Sequence, residues 1–332
     1  MKKTLISLIA LSASAAAAPA FAQSQVTVYG LLDAAIVHES GSAAGSSTRL
    51  SSGVHSGSRL GFKGVEDLGG GLSAKFQLES GMQIDTGASG QGGVLYGRQT
   101  LVALAGGFGE LSAGRQYTPY LNALDAVDPF GTGSIANSQN LFVDGPSRMT
   151  NSVIYATPDK FGGFGAALAY GFGEVAGNSS ANREIGASAS YGKGPVFVTV
   201  AHHDSKNATG TASNKVSFAG GTYQIGAAKL HLAAGFNDLA GRKSRDLLAG
   251  LTMAFGRGSA MLSYVHKNDR SAANNDANQI GVGYSHALSK RTDLYASYAR
   301  LNNDNGAAYT VGDATNGYAG NKGLAVGVRH RF

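Results

Sequence analysis

Strict alternation of apolar and polar residues over long segments is the feature of this sequence that most limits its fold. In LSAKFQLESGMQI (residues 72–84) apolar side chains occupy most even positions, and polar side chains such as Lys75 and Glu79 occupy the odd ones. Successive side chains of a β-strand point to opposite faces, so the segment predicts one strand of about 13 residues, against about five or six in globular proteins. The C-terminal GVRHRF alternates in the same way. Long strands with one apolar and one charged face predict a barrel that is apolar outside and wet inside, whereas a soluble β-sandwich would have shorter strands.

The connections between these segments alternate between short and long. Turns such as EDLGGG, GKGP and GRGS alternate with polar loops such as DTGASGQGG, NDLAGRKSR and NDRSAANNDAN. Short turns on one rim and long loops on the other are typical of bacterial outer-membrane barrels. We therefore predict an all-β fold, a 16-stranded antiparallel transmembrane β-barrel, with strands near 25–39, 54–66, 72–85, 94–105, 110–117, 149–158, 163–174, 183–192, 195–204, 214–227, 229–238, 245–255, 259–268, 277–288, 293–302 and 322–332.

Residues 1–22 have the parts of a secretory signal peptide. Two lysines precede an apolar run at residues 5–11, and the small-residue sequence Ala20-Phe21-Ala22 follows. The apolar run is shorter than the roughly 20 residues that a membrane-spanning helix needs. We expect residues 1–22 to be removed on export and residues 23–332 to form the barrel.

Composition excludes several classes of exported protein. The chain has 49 Gly, 6 Pro and no Cys, so disulfides cannot hold it together. Its formal charge of +6 falls to +4 without Lys2 and Lys3, and the remaining cations are dispersed rather than clustered on one element. We therefore expect no nucleic-acid partner, because such partners are bound by clustered Lys and Arg.

One long connection differs from the others. About 30 residues separate the strand ending near Tyr117 from the strand starting near Met149, and they are richer in apolar residues than the other loops. Within PYLNALDAV, Leu121, Leu124 and Val127 recur at helical spacing, as in a segment packed against an inner wall. The sequence predicts a third loop that folds into the barrel, with an ordinary extracellular loop as the alternative.

Several segments in order resemble one family. These are VTVYGLLDAAI after the signal peptide, GSRLGFKGVEDLGGGLSAKFQLESG, GRQ at 97–99 and again at 114–116, NSVIYATPDKFGGF, and the terminal GVRHRF. Together they resemble the general diffusion porins of the beta-proteobacterial branch of Gram-negative bacteria. The chain departs from the family pattern at Leu60, where Trp is common, and in a third loop that lacks the usual Pro-Glu-Phe-Gly stretch. The resemblance implies a trimeric 16-stranded outer-membrane barrel whose third loop narrows the pore.

The resemblance also implies which charges line the narrowest point. The family pattern places arginines on the wall and acidic residues on the third loop. The candidate constriction residues are Arg59, Lys63, Arg98, Arg115 and Arg148 on the wall, and Asp125 and Asp128 on the loop. Lys63 and Arg115 are the weaker candidates. With Arg59, Arg98 and Arg148 counted, with or without Lys63 as a fourth cation, the balance against the two aspartates is positive by one or two charges, which predicts a weak to moderate anion preference. Asp33, Glu79 and Asp144 would reverse this balance if they also reached the constriction.

The predicted function is passive diffusion of small hydrophilic solutes and ions through a water-filled channel. A substrate-specific channel, or an adhesin-type barrel with a plugged lumen, is the alternative. An outer-membrane enzyme would need Ser, His and a carboxylate together, and Ser263 and His266, three residues apart on a strand, face opposite sides. We expect no enzymatic activity, cofactor or metal.

The expected partners are a second and third copy of the chain, outer-membrane lipids and lipopolysaccharide. Gly- and Ala-rich wall segments at 186–190 and 281–283 predict close packing against a neighbouring copy. An aromatic residue suits the membrane interface, where Phe332 would lie. By resemblance, Phe332 is also the residue through which the barrel assembly machinery selects its client.

Overall fold

The computed structural model describes residues 25–158, 161–312 and 320–332, and the predicted signal peptide at 1–22 lies outside these ranges. Within them the chain is built mainly of antiparallel strands. The strand segments are β1 Gln25–Ser42, β2 Gly45–Ser52, β3 Arg59–Gly69, β4 Leu72–Gly81, β5 Gln99–Gly106, β6 Gly109–Tyr117, β7 Arg148–Ala156, β8 Phe164–Gly171, β9 Glu184–Lys193, β10 Val196–Lys206, β11 Ser213–Ile225, β12 Ala228–Leu239, β13 Arg242–Phe255, β14 Gly258–Asp269, β15 Ala277–Ala287, β16 Thr292–Asn303 and β17 Lys322–Arg331. The helix α1 spans Pro119–Val127, and short 3-10 turns span Gln91–Gly93 and Ser138–Asn140. No helix in the described ranges is long and apolar enough to cross a bilayer.

The strands close into a barrel because the first pairs with the last. Leu31 of β1 lies opposite Arg331 of β17, and the ladder continues to Ser40 opposite Lys322. Closure leaves no unpaired backbone edge to face hydrocarbon, where each unsatisfied group would cost several kcal/mol. The 16-stranded barrel predicted from the sequence is confirmed. The described chain has seventeen strand segments, but β2 and β3 both pair with β1 and together form one interrupted strand of the barrel.

The interruption at residues 53–58 is organised by a buried aspartate of β1. One carboxylate oxygen of Asp33 accepts hydrogen bonds from the backbone N–H groups of His55 (3.0 Å) and Ser56 (2.8 Å). The other accepts a hydrogen bond from the Tyr295 hydroxyl. These contacts stabilise the excursion of residues 53–58 into the lumen. The sequence prediction of a single strand at 54–66 missed β2 for this reason, since the partner that fixes the excursion is distant in sequence.

Apolar and polar side chains separate across the wall as the alternation predicted. The outward positions expose large hydrophobic side chains, among them Val200, Leu232, Leu247, Tyr264 and Ile280. The intervening positions face inward and include buried polar groups. The wall therefore presents an apolar band to lipid and a polar face to the lumen.

Two predicted loop and strand boundaries are wrong. NDLAGRKSR was predicted as a long loop, but β12 and β13 run to a two-residue turn at Ala240 and Gly241. Both residues have positive φ (53° and 98°), as tight hairpin turns require, and the Asp238 carboxylate accepts the Gly241 N–H at 2.8 Å. The strand predicted at 94–105 begins only at Gln99, because residues 82–98 form an irregular loop.

The third loop, residues 118–147, packs against the inward-facing residues of the barrel. The Thr118 hydroxyl caps α1 by accepting the Leu121 N–H at 3.0 Å, and Pro119 occupies the first turn, where its missing N–H costs nothing. The apolar residues of the loop form one buried cluster with inward-facing wall residues. The loop members of the cluster are Tyr120, Ala123, Leu124, Val127, Phe130, Ile135, Ala136, Leu141 and Phe142.

A buried ion network holds the C-terminal limb of this loop to the wall. Lys267 of β14 is 2% exposed, and its ammonium contacts the carboxylates of Asp246 (3.0 Å) and Asp144. It also donates to the backbone oxygen of Leu141 at 3.1 Å. Lys267 therefore binds the loop at two points, Asp144 and Leu141, and its ammonium also forms an ion pair with Asp246 on the neighbouring strand.

Glycines on the inner wall make room for the third loop. A Cβ at Gly281 would lie 2.7 Å from the Ala136 Cβ, and one at Gly283 would lie 2.7 Å from the Phe130 ring. Gly186 faces Pro119 of the loop in the same way. The sequence predicted contact with another copy at these positions, and that prediction is wrong because these glycines face inward.

Candidate channel constriction

A lumenal cavity of about 350 Å³ lies between the inward excursion at residues 53–58 and the third loop. The excursion and the loop are in direct contact, because the Ser134 N–H donates to the Val54 oxygen at 2.6 Å. The charged side chains that line the cavity are Arg59, Arg98, Arg148 and Asp125. Four of the seven predicted constriction residues therefore meet in one cavity, three from the wall and one from the loop.

Arg98 forms the least accessible part of this arginine group. Its side chain is buried against Glu79, with Nε 2.8 Å from Oε1, and its Nη2 donates to the Tyr117 hydroxyl at 2.6 Å. The Glu79 carboxylate also accepts the Tyr29 hydroxyl at 2.9 Å. The charge of Arg98 is therefore largely balanced by Glu79, and its guanidinium serves to fix Tyr117.

Arg59 and Arg148 are more accessible to water than Arg98. Arg59 donates to Gly57 O (3.0 Å) and Ser56 Oγ (2.6 Å) of the excursion, and its guanidinium is 4.0 Å from Glu79. Arg148 lies over the Tyr117 ring at 4.7 Å, and its Nε donates to Arg98 O at 2.9 Å. Their hydrogen bonds are to neutral groups, and the Glu79 carboxylate is farther from Arg59 than from Arg98, so the charges of Arg59 and Arg148 are less balanced than that of Arg98.

Asp125 projects from α1 into the same cavity. Its carboxylate accepts the Thr132 hydroxyl at 2.6 Å. Enclosure by protein raises the pKa of the Asp125 carboxyl above its ordinary value, although the Thr132 hydrogen bond and the positive charge of Arg59 act in the opposite direction. Asp125 is therefore the loop carboxylate that shares this cavity with the arginines.

Asp128 has a different position from the one expected. Its side chain is 5% exposed, and its carboxylate accepts the N–H groups of Phe130 (2.9 Å) and Ser138 (2.8 Å) together with the Ser138 hydroxyl (2.7 Å). Burial raises the pKa of Asp128, against the effect of these hydrogen bonds. Asp128 stabilises the fold of the loop and does not line the cavity. The helical spacing could not reveal this, because Asp128 follows the end of α1, where the loop becomes irregular.

Lys63 and Arg115 also lie outside this cavity. Lys63 lines a neighbouring lumenal cavity with Lys75 and Glu110, where its ammonium lies 5.1 Å from the centre of the Tyr29 ring. Arg115 lies opposite Thr100 and donates to Gly97 O at 2.7 Å. The two weaker candidates of the sequence analysis are thus separated from the arginine group.

Sequence reasoning missed one residue of the cavity, Tyr117, and one residue that holds the third loop, Lys267. Tyr117, the last residue of β6, is uncharged, but its hydroxyl accepts hydrogen bonds from Arg98 and Arg148. Lys267 was missed although β14 alternates, because its partners lie on the loop and on another strand. Among residues 25–158, 161–312 and 320–332, no group of three His, Cys, Asp or Glu side chains is placed to hold a metal ion.

Comparisons with known proteins agree with the fold. The family model described as Gram-negative porin matches residues 7–307. Outer membrane porin protein 32 of Delftia acidovorans is 36% identical, with all of both chains covered, and the major outer membrane protein P.IB of Neisseria meningitidis serogroup B is 29% identical with the same coverage. The structure of an anion-selective porin from Comamonas acidovorans matches with a TM-score of 0.83 at 33% identity, covering 93% of this chain and 100% of that chain.

A more distant structure shows the fold alone. OmpT of Vibrio cholerae in its trimer form matches with a TM-score of 0.67 at 16% identity, covering 93% of this chain and 99% of that chain. The family match spans most of the chain, and the relatives are outer-membrane porins over their full length. The chain therefore belongs to the Gram-negative porins and is an outer-membrane diffusion channel rather than an enzyme.

Proposed function

We propose that small hydrophilic solutes and ions cross this channel through the cavity between the third loop and the arginine group, and that anions are preferred. The observation that carries the proposal is the meeting of Arg59, Arg98 and Arg148 with one loop carboxylate, Asp125, around one cavity. Counting Glu79, three positive charges face two negative ones, which leaves a balance of +1. The name of the Comamonas acidovorans porin describes that protein as anion-selective, which supports the same sign here.

The physical basis is the long reach of fixed charge in a narrow passage. One unit charge at 5–8 Å changes the energy of a monovalent ion by about 0.5–0.8 kcal/mol even at the dielectric constant of water. The change has opposite sign for anions and cations, so one net charge alters their permeability ratio by roughly fivefold or more at low salt. Ionic strength screens the field, so the preference should weaken as salt rises.

Single-channel recording in planar bilayers tests the channel itself. We expect stepwise, long-lived ion currents from the purified protein over a broad voltage range. A protein that inserts but carries no current would favour the plugged, adhesin-type barrel instead.

Acidification should strengthen the anion preference through Asp125. The pKa of this carboxyl is raised, so it becomes neutral at a higher pH than an exposed aspartate with its pKa of about 3.9. Loss of its charge changes the balance from +1 to +2. Asp125→Asn should therefore raise the anion-to-cation permeability ratio several-fold at pH 7 and reduce its change on acidification. Asp304→Asn, an exposed aspartate of a distant loop, is the control; equal behaviour of the two variants would show that Asp125 does not face the ion path.

We also propose that the chain assembles as a homotrimer. Val94 and Leu95 in loop 82–98 are 50% and 65% exposed. Adjacent apolar side chains on a loop, beyond the strands that face lipid, suit burial against another copy. Val94→Asn/Leu95→Asn should lower the trimer fraction in native mass spectrometry, whereas Val175→Asn, an exposed apolar residue of loop 172–183, should not. Wild-type protein that is only monomeric in mild detergent would contradict the proposal.

The remaining proposed partners are lipopolysaccharide and the barrel assembly machinery. Phe332 exchanges backbone hydrogen bonds of 3.1 Å with Gly30, which seats the aromatic terminus beside the first strand. Deletion of Phe332 should reduce assembled protein in isolated outer membranes, and unchanged assembly would remove this role.

We infer that residues 1–22 are cleaved on export; N-terminal sequencing of the mature protein should begin at Gln23.

A further inference from the structure

A polar belt lies on the outer surface of the barrel, at the rim with the long loops. Lys215 of β11 lies opposite Asp238 of β12, which lies opposite Lys243 of β13. The N–H of Arg270, just after β14, donates to Lys243 O at 2.8 Å. One row closer to the membrane centre, Arg245 lies opposite Phe236. These side chains point outward, because the residues that alternate with them are buried inside the barrel.

The apolar band begins directly beneath this belt. Exposed apolar residues follow along the same strands, including Leu247 on β13, Leu232 on β12 and Val200 on β10. The belt therefore lies where the acyl chains of the outer leaflet end and its headgroups begin. The belt cations Lys215, Lys243, Arg245 and Arg270 line one shallow groove together with Phe236 and Asp238.

The groove carries an excess of unpaired positive charge. Lys215, Lys243, Arg245 and Arg270 are all exposed. Three aspartates, Asp204, Asp238 and Asp276, lie in or beside the same rows, so four cations face three anions and leave +1. Within the described ranges, none of the four cations has a carboxylate oxygen within 4.0 Å. Their charges are therefore available to an anionic ligand.

We propose that this groove binds a phosphorylated glycolipid of the lipopolysaccharide type. The cations contact its phosphates, and Phe236 and Leu247 contact the first part of its acyl chains. Arginine and lysine are the side chains that bind phosphate oxygens, and basic clusters beside an apolar membrane surface recognise anionic headgroups. The proposal rests on the outer-membrane location and gives the lipid partner proposed above a defined site.

The width of the cationic cluster favours a headgroup with two phosphates over a phospholipid. Neighbouring strands lie about 4.8 Å apart, so the three steps from β11 to β14 separate Lys215 from Arg270 by roughly 14 Å. One phosphate can contact only part of such a row. A disaccharide with a phosphate at each end can contact both ends of it.

The test is lipid binding to the purified, full-length channel in detergent, measured by native mass spectrometry. The variant is K215Q/K243Q/R245Q/R270Q, and the matched control is K193Q/R257Q/K290Q/R291Q, which removes four exposed cations from the opposite rim. The probes are diphosphorylated lipid A, the same lipid without phosphates, and phosphatidylglycerol. We expect wild type and control to bind diphosphorylated lipid A at least about tenfold more tightly than either other lipid, and the variant to lose that difference.

Two results would overturn the proposal. One is equal binding of diphosphorylated lipid A by the variant and the control. The other is equal binding of phosphatidylglycerol and diphosphorylated lipid A by the wild type, which would assign the belt to anionic lipids in general. Bilayer recordings on the same preparations report ion flow independently, so failure of the lipid site is distinguishable from failure of the channel proposal.

Discussion

Lys267→Met should release the C-terminal limb of the third loop from the barrel wall. The substitution leaves the carboxylates of Asp246 and Asp144 buried without their cation, and it removes the hydrogen bond to Leu141 O. Removal of one partner from a buried ion pair costs on the order of 3–5 kcal/mol. The barrel ladder is untouched, so this energy should appear as loop opening rather than as unfolding of the wall.

Limited proteolysis and current recording measure that opening. The loop contains buried chymotrypsin sites such as Tyr120 and Phe142, and a destabilisation of 3 kcal/mol raises the population of an open loop roughly a hundredfold. Cleavage within residues 118–147 should accelerate accordingly, and the open-channel current should become noisier. Lys243→Met, an exposed lysine of the adjacent strand, is the control.

A triple variant separates charge from packing. Lys267→Met/Asp144→Asn/Asp246→Asn leaves no buried charge without a partner, so it should recover much of the protease resistance. If Lys267→Met alone stays as resistant and as quiet as wild type, the ion network does not hold the loop.

Arg59→Gln/Arg148→Gln should convert the channel from anion to cation preference at low salt. The substitutions remove the two arginines whose charges are least balanced by protein, and the balance at the cavity changes from +1 to −1. At roughly fivefold per charge, the anion-to-cation permeability ratio should fall by more than tenfold. The barrel should stay folded, because both side chains border water and neither belongs to the buried cluster.

Arg115→Gln is the matched control for that prediction. It removes an arginine of the same wall region that does not line the cavity. We expect its permeability ratio to stay close to that of wild type. An equal shift in the control and in the double variant would mean that the overall charge of the wall, and not the arginine group, sets the preference.

The barrel could be predicted from the sequence because membrane strands follow a local rule. Each strand alternates between apolar and polar residues, as in residues 72–84, and the spacing of the turns sets the number of strands. The third loop was predictable for a similar reason, since its apolar residues, such as Leu124 and Val127, need a surface to pack on. Both features depend on residues close together in the chain.

The features that sequence missed depend on contacts between distant residues. The split of β2 from β3 requires Asp33 and Tyr295, which are 262 positions apart. The inward direction of Gly281 and Gly283 follows from the loop that packs over them. Asp125 and Asp128 differ by only three positions, yet one lines the cavity and the other is buried in the loop fold, and only the tertiary path of the loop separates them. Their roles in ion flow stay predictions.

The potential at zero current across a bilayer in a KCl gradient tests the central claim, that the arginine group makes this porin prefer anions. Wild-type protein should be recorded with a tenfold gradient at low salt, where the field of the constriction is least screened. Chloride then crosses faster than potassium, and the dilute side should become negative relative to the concentrated side. A dilute side that becomes positive, or a potential of zero, would contradict the account.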